Sequence, residues 1–422
     1  MHELTTLNNG LRILTVTLPH VRSVSLGFFV GVGSRYEAEP LAGASHFIEH
    51  MLFKGTKRHP TALDIAEAIE GKGGVFNAST GLEMTLYWAK VAAVHLPEAL
   101  DVLSDMLLNA TFDPEEVEKE RAVIGEEIGY SQDTPDSLAY ILVSGLQWPN
   151  HPLGRDVAGT RQSLAALNRD SLLAYMADHY RPGQTILGLA GLVDHREIVA
   201  WAESNLGAWE PGPTMAWEPA PTDCLGPKLH VEKKETEQAH LSFSFTALPR
   251  SDPDRFALRL LNVILGEGMR SRLFQLVRER LGLAYNVESY VSALQDTGAA
   301  GVDASVGPDR VEETIGTILK ELDRLRQEQV PEIELRKALD FVKGRLALTM
   351  EDSFTVAAWY ARQQLLGPEM MNQEEVVKRY EAVQATDIQR LAQTIFQKER
   401  LNLAIVGPFS RNGDRFRRAI DF

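Results

Sequence analysis

The chain has 422 residues, of which 44% are hydrophobic and 24% are charged. This composition is typical of a packed globular protein and excludes a long disordered chain, while the length favours two domains of about 200 residues each. The net charge of −15 argues against nucleic acid or an anionic membrane as the main partner, because both attract basic patches.

The compartment is suggested by what the sequence lacks. The start of the chain has no basic stretch followed by an apolar run, as an export signal would have. No run of about eighteen uncharged apolar residues occurs that could span a membrane. Cys224 is the only cysteine, so an internal disulfide bond cannot form. We therefore expect a cytoplasmic protein.

Turn residues followed by apolar runs predict strands at both ends of the first half of the chain. Residues 11–16 and 23–30 are predicted to be paired strands. Helical patterns follow them. Residues 184–193 are predicted to form a last strand, and residues 197–206 a helix after it.

The same order of elements recurs in the second half. The strands predicted there are 229–233, 240–246 and 400–406. Residues 24–30 precede 240–246 by nearly the same offset by which residues 186–193 precede 402–409. A constant offset indicates an internal duplication.

Two similar halves are therefore predicted, residues 1–207 and 229–422. Frequent prolines between them indicate a linker at 208–228, because proline prevents regular strand pairing and stiffens the chain. Runs of strands interrupted by runs of helices predict the α+β class. Each half is expected to be a mostly antiparallel sheet with helices packed on it.

The first candidate for chemistry lies at His46, Glu49 and His50. In a helix ending near Gly55, the two histidines would lie one turn apart on one face, with Glu49 beside them. Both imidazoles could then reach one metal ion. Catalytic zinc commonly takes three protein ligands and leaves a fourth position open, so one more donor is required. The residues predicted to anchor the opposite face are Phe47, Ile48, Met51 and Leu52.

A second helix, predicted at 113–129, offers carboxylates. Glu120 and Glu127 are seven residues apart on it, which is close to two turns, so both face the same side. One could bind the metal while the other orients a ligand imidazole. Taken alone, these acids would more often be a solvated helix face; together with the histidines they indicate a metal site.

The segment His46-Phe47-Ile48-Glu49-His50 is the inverted form of the common zinc-peptidase motif. It resembles the pitrilysin family, which includes insulin-degrading enzyme and the mitochondrial processing peptidases. That family has its third ligand 77 residues after the second histidine, which is Glu127 here, and an acid seven residues earlier, which is Glu120. Residues 51–56 and 77–80 and the duplicated halves are also similar to the shorter members.

The resemblance implies one Zn²⁺ ion per chain, since the second half has no such motif. The implied ligands are His46, His50 and Glu127. Glu126 is the rival for the third ligand, but it lies about 100° around the helix from Glu127. The resemblance also implies that Glu49 activates the attacking water and that Glu120 orients a ligand imidazole without binding the metal itself.

Other contacts are implied in both halves. Residues 73–80 would form a sheet edge to which an extended substrate adds a strand, with Asn77 and Ala78 in contact with it; an ordinary turn or strand end is the alternative for Asn77. Arg278 and Tyr285 are similar in spacing to the arginine and tyrosine that the family brings to its active site from the opposite half. Without the resemblance, a surface ion pair and a core-edge tyrosine would explain them.

A glycine-bearing loop, residues 265–274, lies just before this pair. It lacks the Gly-Lys-Ser/Thr ending of a phosphate loop, so a loop leading into a helix is favoured. The family is often richer in glycine here, and Glu267 stands where glycine is common.

These features predict a zinc metallopeptidase that hydrolyses short, unfolded peptides in an enclosed chamber. Tyr285 would donate a hydrogen bond to the oxyanion and Arg278 would hold the substrate. The alternatives are a noncatalytic scaffold or assembly subunit of the same fold, and a metal hydrolase that acts on other substrates. Longer family members have four such units in one chain. A two-unit chain is therefore expected to form a homodimer, or alternatively a heterodimer with a related chain.

Overall fold

A computed structural model describes residues 2–222, 226–410 and 414–420. Cys224, within the predicted linker, lies outside the described residues. The strands are β1 His2–Thr6, β2 Arg12–Thr17, β3 Ser23–Val30, β4 Val75–Thr80, β5 Thr85–Ala92, β6 Thr185–Gly191, β7 Lys228–Lys233, β8 Ala239–Ala247, β9 Ala284–Ala293, β10 Gly298–Val306 and β11 Asn402–Gly407. The α-helices are α1 Ala44–Leu52, α2 Ala62–Ile69, α3 Leu96–Asn109, α4 Pro114–Asp133, α5 Pro135–Gln147, α6 Arg161–Ala166, α7 Arg169–His179, α8 His195–Leu206, α9 Arg255–Leu265, α10 Val311–Gln327, α11 Glu332–Thr349, α12 Ser353–Leu366, α13 Gln373–Glu381, α14 Ala385–Ile395 and α15 Asp414–Arg417.

The chain forms two compact units made of interleaved segments. The first unit comprises Met1–Ile128, Asp156–Glu218 and Ala347–Met371. The second comprises Gly129–Arg155, Pro219–Leu346 and Asn372–Phe422. These compact units are not continuous stretches of chain, so they do not test a division of the sequence at 208–228. That division stays a prediction.

The sheet of the first unit has the strand order β1-β2-β6-β3-β5-β4. The prediction that residues 11–16 and 23–30 pair with each other is wrong, because β6 lies between them. Strand β6 runs parallel to β2 and antiparallel to β3. All residues of β6 are buried, so its backbone groups must be paired on both sides, and β2 and β3 provide those partners.

The sheet of the second unit has the order β7-β11-β8-β10-β9. Its β7–β11 pair is parallel and its other pairs are antiparallel. The order corresponds strand for strand to β2-β6-β3-β5-β4 of the first sheet. The predicted fold class of two similar α+β halves is confirmed.

Each sheet is covered by helices, and one covering helix comes from the other half of the sequence. Helix α12 packs on β3 and β6, where the Ser353 hydroxyl lies 2.8 Å from the Ser25 hydroxyl. Helix α5 packs on β8 and β11, and Gln147 Nε2 donates to the Gly298 carbonyl over 3.3 Å. None of the helices in the described ranges is long and apolar enough to cross a membrane.

Candidate metal centre

Helix α1, which carries the two histidines, is fixed by burial of its apolar face. Its residues Phe47, Ile48, Met51 and Leu52 are at most 1% exposed. Burying such side chains stabilises their position by about 1.5–3 kcal/mol each. The predicted anchoring face is therefore present, and it leaves the opposite face of the helix for chemistry.

The N-terminus of α1 is held by a buried carboxylate. Glu37, 3% exposed, accepts hydrogen bonds from the backbone N–H groups of Gly43 and Ser45, each over 2.7 Å. These groups would otherwise lack partners at a helix start. Gly43 has φ +93°, and a Cβ there would lie 2.5 Å from the Ala158 carbonyl oxygen, so the entry into α1 requires glycine.

The imidazoles of His46 and His50 converge on one oxygen of Glu127. Their Nε2 atoms lie 3.7 Å and 3.6 Å from Glu127 Oε2, too far for hydrogen bonds. Two ligands of one tetrahedral zinc ion are separated by about 3.4 Å, given metal–ligand distances of about 2.0–2.2 Å. The three residues thus fit a shared metal ion, and across the described residues they form the one group of this kind.

The two histidines are prepared differently for metal binding. Burial, with a smaller contribution from His50, lowers the pKa of His46 to about 4, so this imidazole is neutral at pH 7, as a ligand must be. His50 Nδ1 lies 2.9 Å from Glu120 Oε2. Because a carboxylate accepts, we assign the proton to Nδ1, which leaves the Nε2 lone pair free for the ion.

Helix α4 carries both carboxylates, as the seven-residue spacing predicts. It begins at Pro114 and runs to Asp133, four residues beyond the predicted end. Glu120 is buried against His50, whereas the Glu127 side chain is 45% exposed. The rival Glu126 is exposed, and the oxygen that approaches both imidazoles belongs to Glu127.

Glu49 lies on α1 between the two histidines. Burial raises the pKa of its carboxyl group, and the raising effect is partly opposed by a hydrogen bond from Thr80. Thr80 Oγ1 donates to Glu49 Oε2 over 2.5 Å. A carboxyl group with a raised pKa beside a metal site is suited to take a proton near neutral pH.

The predicted substrate edge corresponds to β4. This strand pairs with β5 alone and ends the sheet order, and it packs beside α1. Its residues alternate between exposed and partly buried, with Asn77 exposed and Ala78 partly buried. Asn77 therefore lies within an edge strand, while its contact with substrate stays a prediction.

Arg278 and Tyr285 lie together in the second unit. The Arg278 guanidinium carbon is 5.5 Å from the centre of the Tyr285 ring. Arg278 is also 4.0 Å from Glu279, and Tyr285 is 73% exposed. The tyrosine is therefore not a core-edge residue, and the pair is available at the surface of this unit.

The glycine-bearing loop before this pair leads into a π-helical segment, Phe274–Arg280. Glu267, which stands where glycine is common in the family, forms an ion pair with Arg259 and accepts from Asn262 Nδ2 over 3.3 Å. These contacts tie the loop to α9.

Sequence reasoning missed several residues that support the site. The sequence pattern places Thr80 in a sheet edge without a further role, and no pattern points to Glu37. Lys54 lies within residues 51–56, which suggest no role for it, yet its Nζ lies 2.6 Å from Glu120 Oε1. The one available signal was its place four residues after His50, one helical turn away.

Comparison with known proteins decides the family. Residues 12–161 match the family model described as Insulinase (Peptidase family M16), and residues 166–341 match Peptidase M16 inactive domain. A Bacillus subtilis protein named "Uncharacterized zinc protease YmxG" is 37% identical over 96% of this chain and 97% of its own length. The chain belongs to the insulinase family of peptidases, family M16. The resemblance to pitrilysin-type peptidases is thereby confirmed.

Other M16 relatives agree with this assignment. A Streptomyces coelicolor protein named "Uncharacterized zinc protease SCO5738" is 36% identical over 96% of this chain and 89% of its own length. A crystal structure of a protease from Helicobacter pylori has a TM-score of 0.91 at 22% identity, covering 97% of this chain and 99% of that one. The M16 assignment and the relatives' names support a metallopeptidase role, and the structural likeness shows the fold.

Proposed function

We propose that this chain is a zinc-dependent peptidase that cuts short, unfolded peptides. The observation that carries the proposal is the convergence of two histidine Nε2 atoms on Glu127, with Glu49 on the same helix as both histidines. The proposed ligands of one ion per chain are His46, His50 and Glu127. All of them lie in the part of the chain that matches the insulinase model.

Peptide hydrolysis would use side chains from both halves of the chain. The chemistry that zinc supplies when bound is Lewis-acid activation of water and of the scissile carbonyl. Glu49 takes the proton of the attacking water and later returns one to the leaving amine. Glu120 holds the Nδ1 proton of His50 through both steps. Tyr285 donates to the oxyanion, and Arg278 binds the substrate.

Substrate would be held in extended form along β4. An edge strand offers unpaired backbone groups that a peptide can complete. Such pairing selects an extended conformation more than a particular sequence, so unfolded peptides are the substrates of choice. Asn77 and Ala78 on β4 are the proposed contacts.

Assembly as a homodimer is part of the proposal. Each chain carries both the metal residues and the Arg278–Tyr285 pair, and Tyr285 is 73% exposed. In a two-fold dimer, the pair of one chain would complete the metal centre of the other and enclose a chamber between them. A heterodimer with a related chain is the alternative arrangement.

The test compares Glu49→Gln with Glu126→Gln. Glu49→Gln should bind one zinc ion per chain but lose peptide turnover at least about 100-fold, because the proton acceptor is gone. Glu126→Gln removes an exposed acid next to a ligand and should keep both zinc and turnover. Zinc is measured by elemental analysis, and turnover with a quenched-fluorescent peptide library.

The same assay separates the alternative functions. A scaffold subunit would show no turnover in the wild-type protein, and a hydrolase of other compounds would cleave small esters but not peptides. If zinc-loaded Glu49→Gln cleaved peptides as fast as the wild type, the proposed role of Glu49 would be contradicted.

A further inference from the structure

We propose that Lys54 is a positioning residue of the metal centre: its ammonium group fixes the Glu120 carboxylate, which in turn directs the His50 imidazole toward the ion. The inference rests on the proposed function, because it requires that His50 binds a metal. It adds a residue outside the ligand set and outside the proton-transfer steps.

The two oxygens of Glu120 have separate partners. Oε2 lies 2.9 Å from His50 Nδ1, and Oε1 lies 2.6 Å from Lys54 Nζ. The Glu120 side chain is 6% exposed and that of Lys54 is 27% exposed. The carboxylate therefore bridges an ammonium group and an imidazole while being mostly buried itself, and it cannot rotate without losing one of them.

Lys54 is itself held by a rigid turn after α1. Its backbone N–H donates to the Met51 carbonyl over 3.1 Å. The next residue, Gly55, has φ +132°, and a Cβ there would lie 2.3 Å from the Pro60 carbonyl oxygen. The Gly55 carbonyl accepts from the Thr111 N–H over 3.0 Å. The backbone that carries Lys54 thus has little freedom to move.

A buried carboxylate anchors the same turn to α3. Asp105 is fully buried and accepts hydrogen bonds from Thr56 Oγ1, from Arg58 Nε over 3.3 Å and from Asn109 Nδ2 over 2.9 Å. Thr56 and Arg58 follow Lys54 closely in the chain. A series of contacts therefore leads from α3 through the turn and Lys54 to Glu120 and His50.

The electrostatics explain why a cation is needed at this place. A buried carboxylate that loses one charged partner is left undercompensated, which costs more than the pair contributes. Glu120 would then move toward water and release His50. Carboxylates that orient a ligand histidine typically account for about 10–100-fold in metal affinity, so a residue that orients the carboxylate should account for the lower part of this range.

The experiment measures the zinc dissociation constant by competition with a chromophoric chelator. Lys54→Met, which keeps the apolar stem, should weaken zinc binding about tenfold. Lys54→Arg restores the charge and should recover most of the affinity. Lys119→Met is the matched control, because Lys119 also lies 2.6 Å from a glutamate, Glu116, but on the exposed face of α4. Its zinc affinity should equal that of the wild type.

A double-mutant cycle tests whether Lys54 acts through Glu120. Glu120→Gln alone should weaken zinc binding. Adding Lys54→Met to it should cost no further affinity, because the Glu120 carboxylate through which Lys54 acts is already absent. Thermal unfolding of each variant verifies that folded protein is compared. An equal loss from Lys54→Met in both backgrounds, or none in either, overturns the inference.

The outcomes also separate this inference from the proposed function. A wild-type protein that binds zinc without cleaving peptides contradicts the proposed peptidase function. The zinc affinities of the Lys54 and Glu120 variants can still be measured in that case, so they test the inference separately. A wild-type protein that does not bind zinc overturns both.

Discussion

Thr80 donates a hydrogen bond to the Glu49 carboxylate over 2.5 Å, from the last residue of the edge strand to the proposed proton acceptor. Hydrogen bonds to charged groups contribute about 1.5–3 kcal/mol. Thr80→Val keeps the shape of the side chain but removes this bond, so Glu49 should be less well oriented. We expect kcat for peptide cleavage to fall about tenfold, with zinc content unchanged.

Thr80→Ser is the matched variant, since it keeps the hydroxyl group. It should retain most of the activity of the wild type. Equal activity of Thr80→Val and wild type under saturating peptide would show that the bond has no part in orienting Glu49.

Gly43 allows the chain to enter α1, and its replacement should destabilise the first unit. The positive φ of 93° and the close Ala158 carbonyl oxygen leave no room for a Cβ. Gly43→Ala should lower the free energy of unfolding by about 2 kcal/mol. Gly71→Ala is the control, because a Cβ there meets no heavy atom within 4 Å, and it should be neutral or slightly stabilising. Urea titration measures both.

Asp303 should make the stability of the second unit depend on pH. Burial is the main cause that raises its pKa to about 6, and Glu288 and Asp136 add to it, against a hydrogen bond from Ser242. In the unfolded chain an aspartate has a pKa of about 3.9. Between these values the folded state binds more protons, so this group makes stability fall as pH rises from about 4 to about 6.

Asp303→Asn removes this pH-dependent penalty. The variant should gain stability over the wild type at pH 8, and the gain should shrink at pH 5, where the folded wild-type carboxyl group is largely protonated. Urea unfolding at both values measures the difference. A gain of the same size at both pH values would contradict the assignment to Asp303 titration.

Complementation tests the proposed homodimer. Glu49→Gln and Tyr285→Phe chains, each inactive alone, are dissociated together and reassembled in equal amounts. With random pairing, about half the dimers are mixed and each has one intact site, so about a quarter of wild-type activity should return. Absence of activity, once mixed dimers are shown to form by differential tagging, would exclude sites shared between chains.

Local sequence patterns predict which candidate metal residues share a helix face, while the choice of Glu127 over Glu120 as the third ligand comes from the family resemblance. His46, Glu49 and His50 lie within one helix, and the spacing of Glu120 and Glu127 specifies one face of another. Such relations follow from 3.6 residues per turn and need no knowledge of the rest of the fold.

Contacts between distant segments are not available from those patterns. The pairing of β2 with β6 brings Arg12 opposite Ile186, and no local pattern indicates the register of that parallel pair. The same holds for the contact of Thr80 with Glu49, since no local sequence pattern around either residue indicates the other. Side-chain networks of this kind depend on the packing of whole elements, which a one-dimensional pattern does not encode.

The interleaving of the two units has a consequence for dividing the gene. A break within the proline-rich segment 208–228 would give two polypeptides, each lacking a helix that covers its sheet: the first without α12 and the second without α5. The first would expose an apolar sheet face that includes Phe29 and Ile186 and should aggregate in isolation. The second would expose a more polar face, where Ser244 contacts Gln147 of α5 in the intact chain. Coexpressed, the two polypeptides should reconstitute each other, so nicking in this segment need not inactivate the protein.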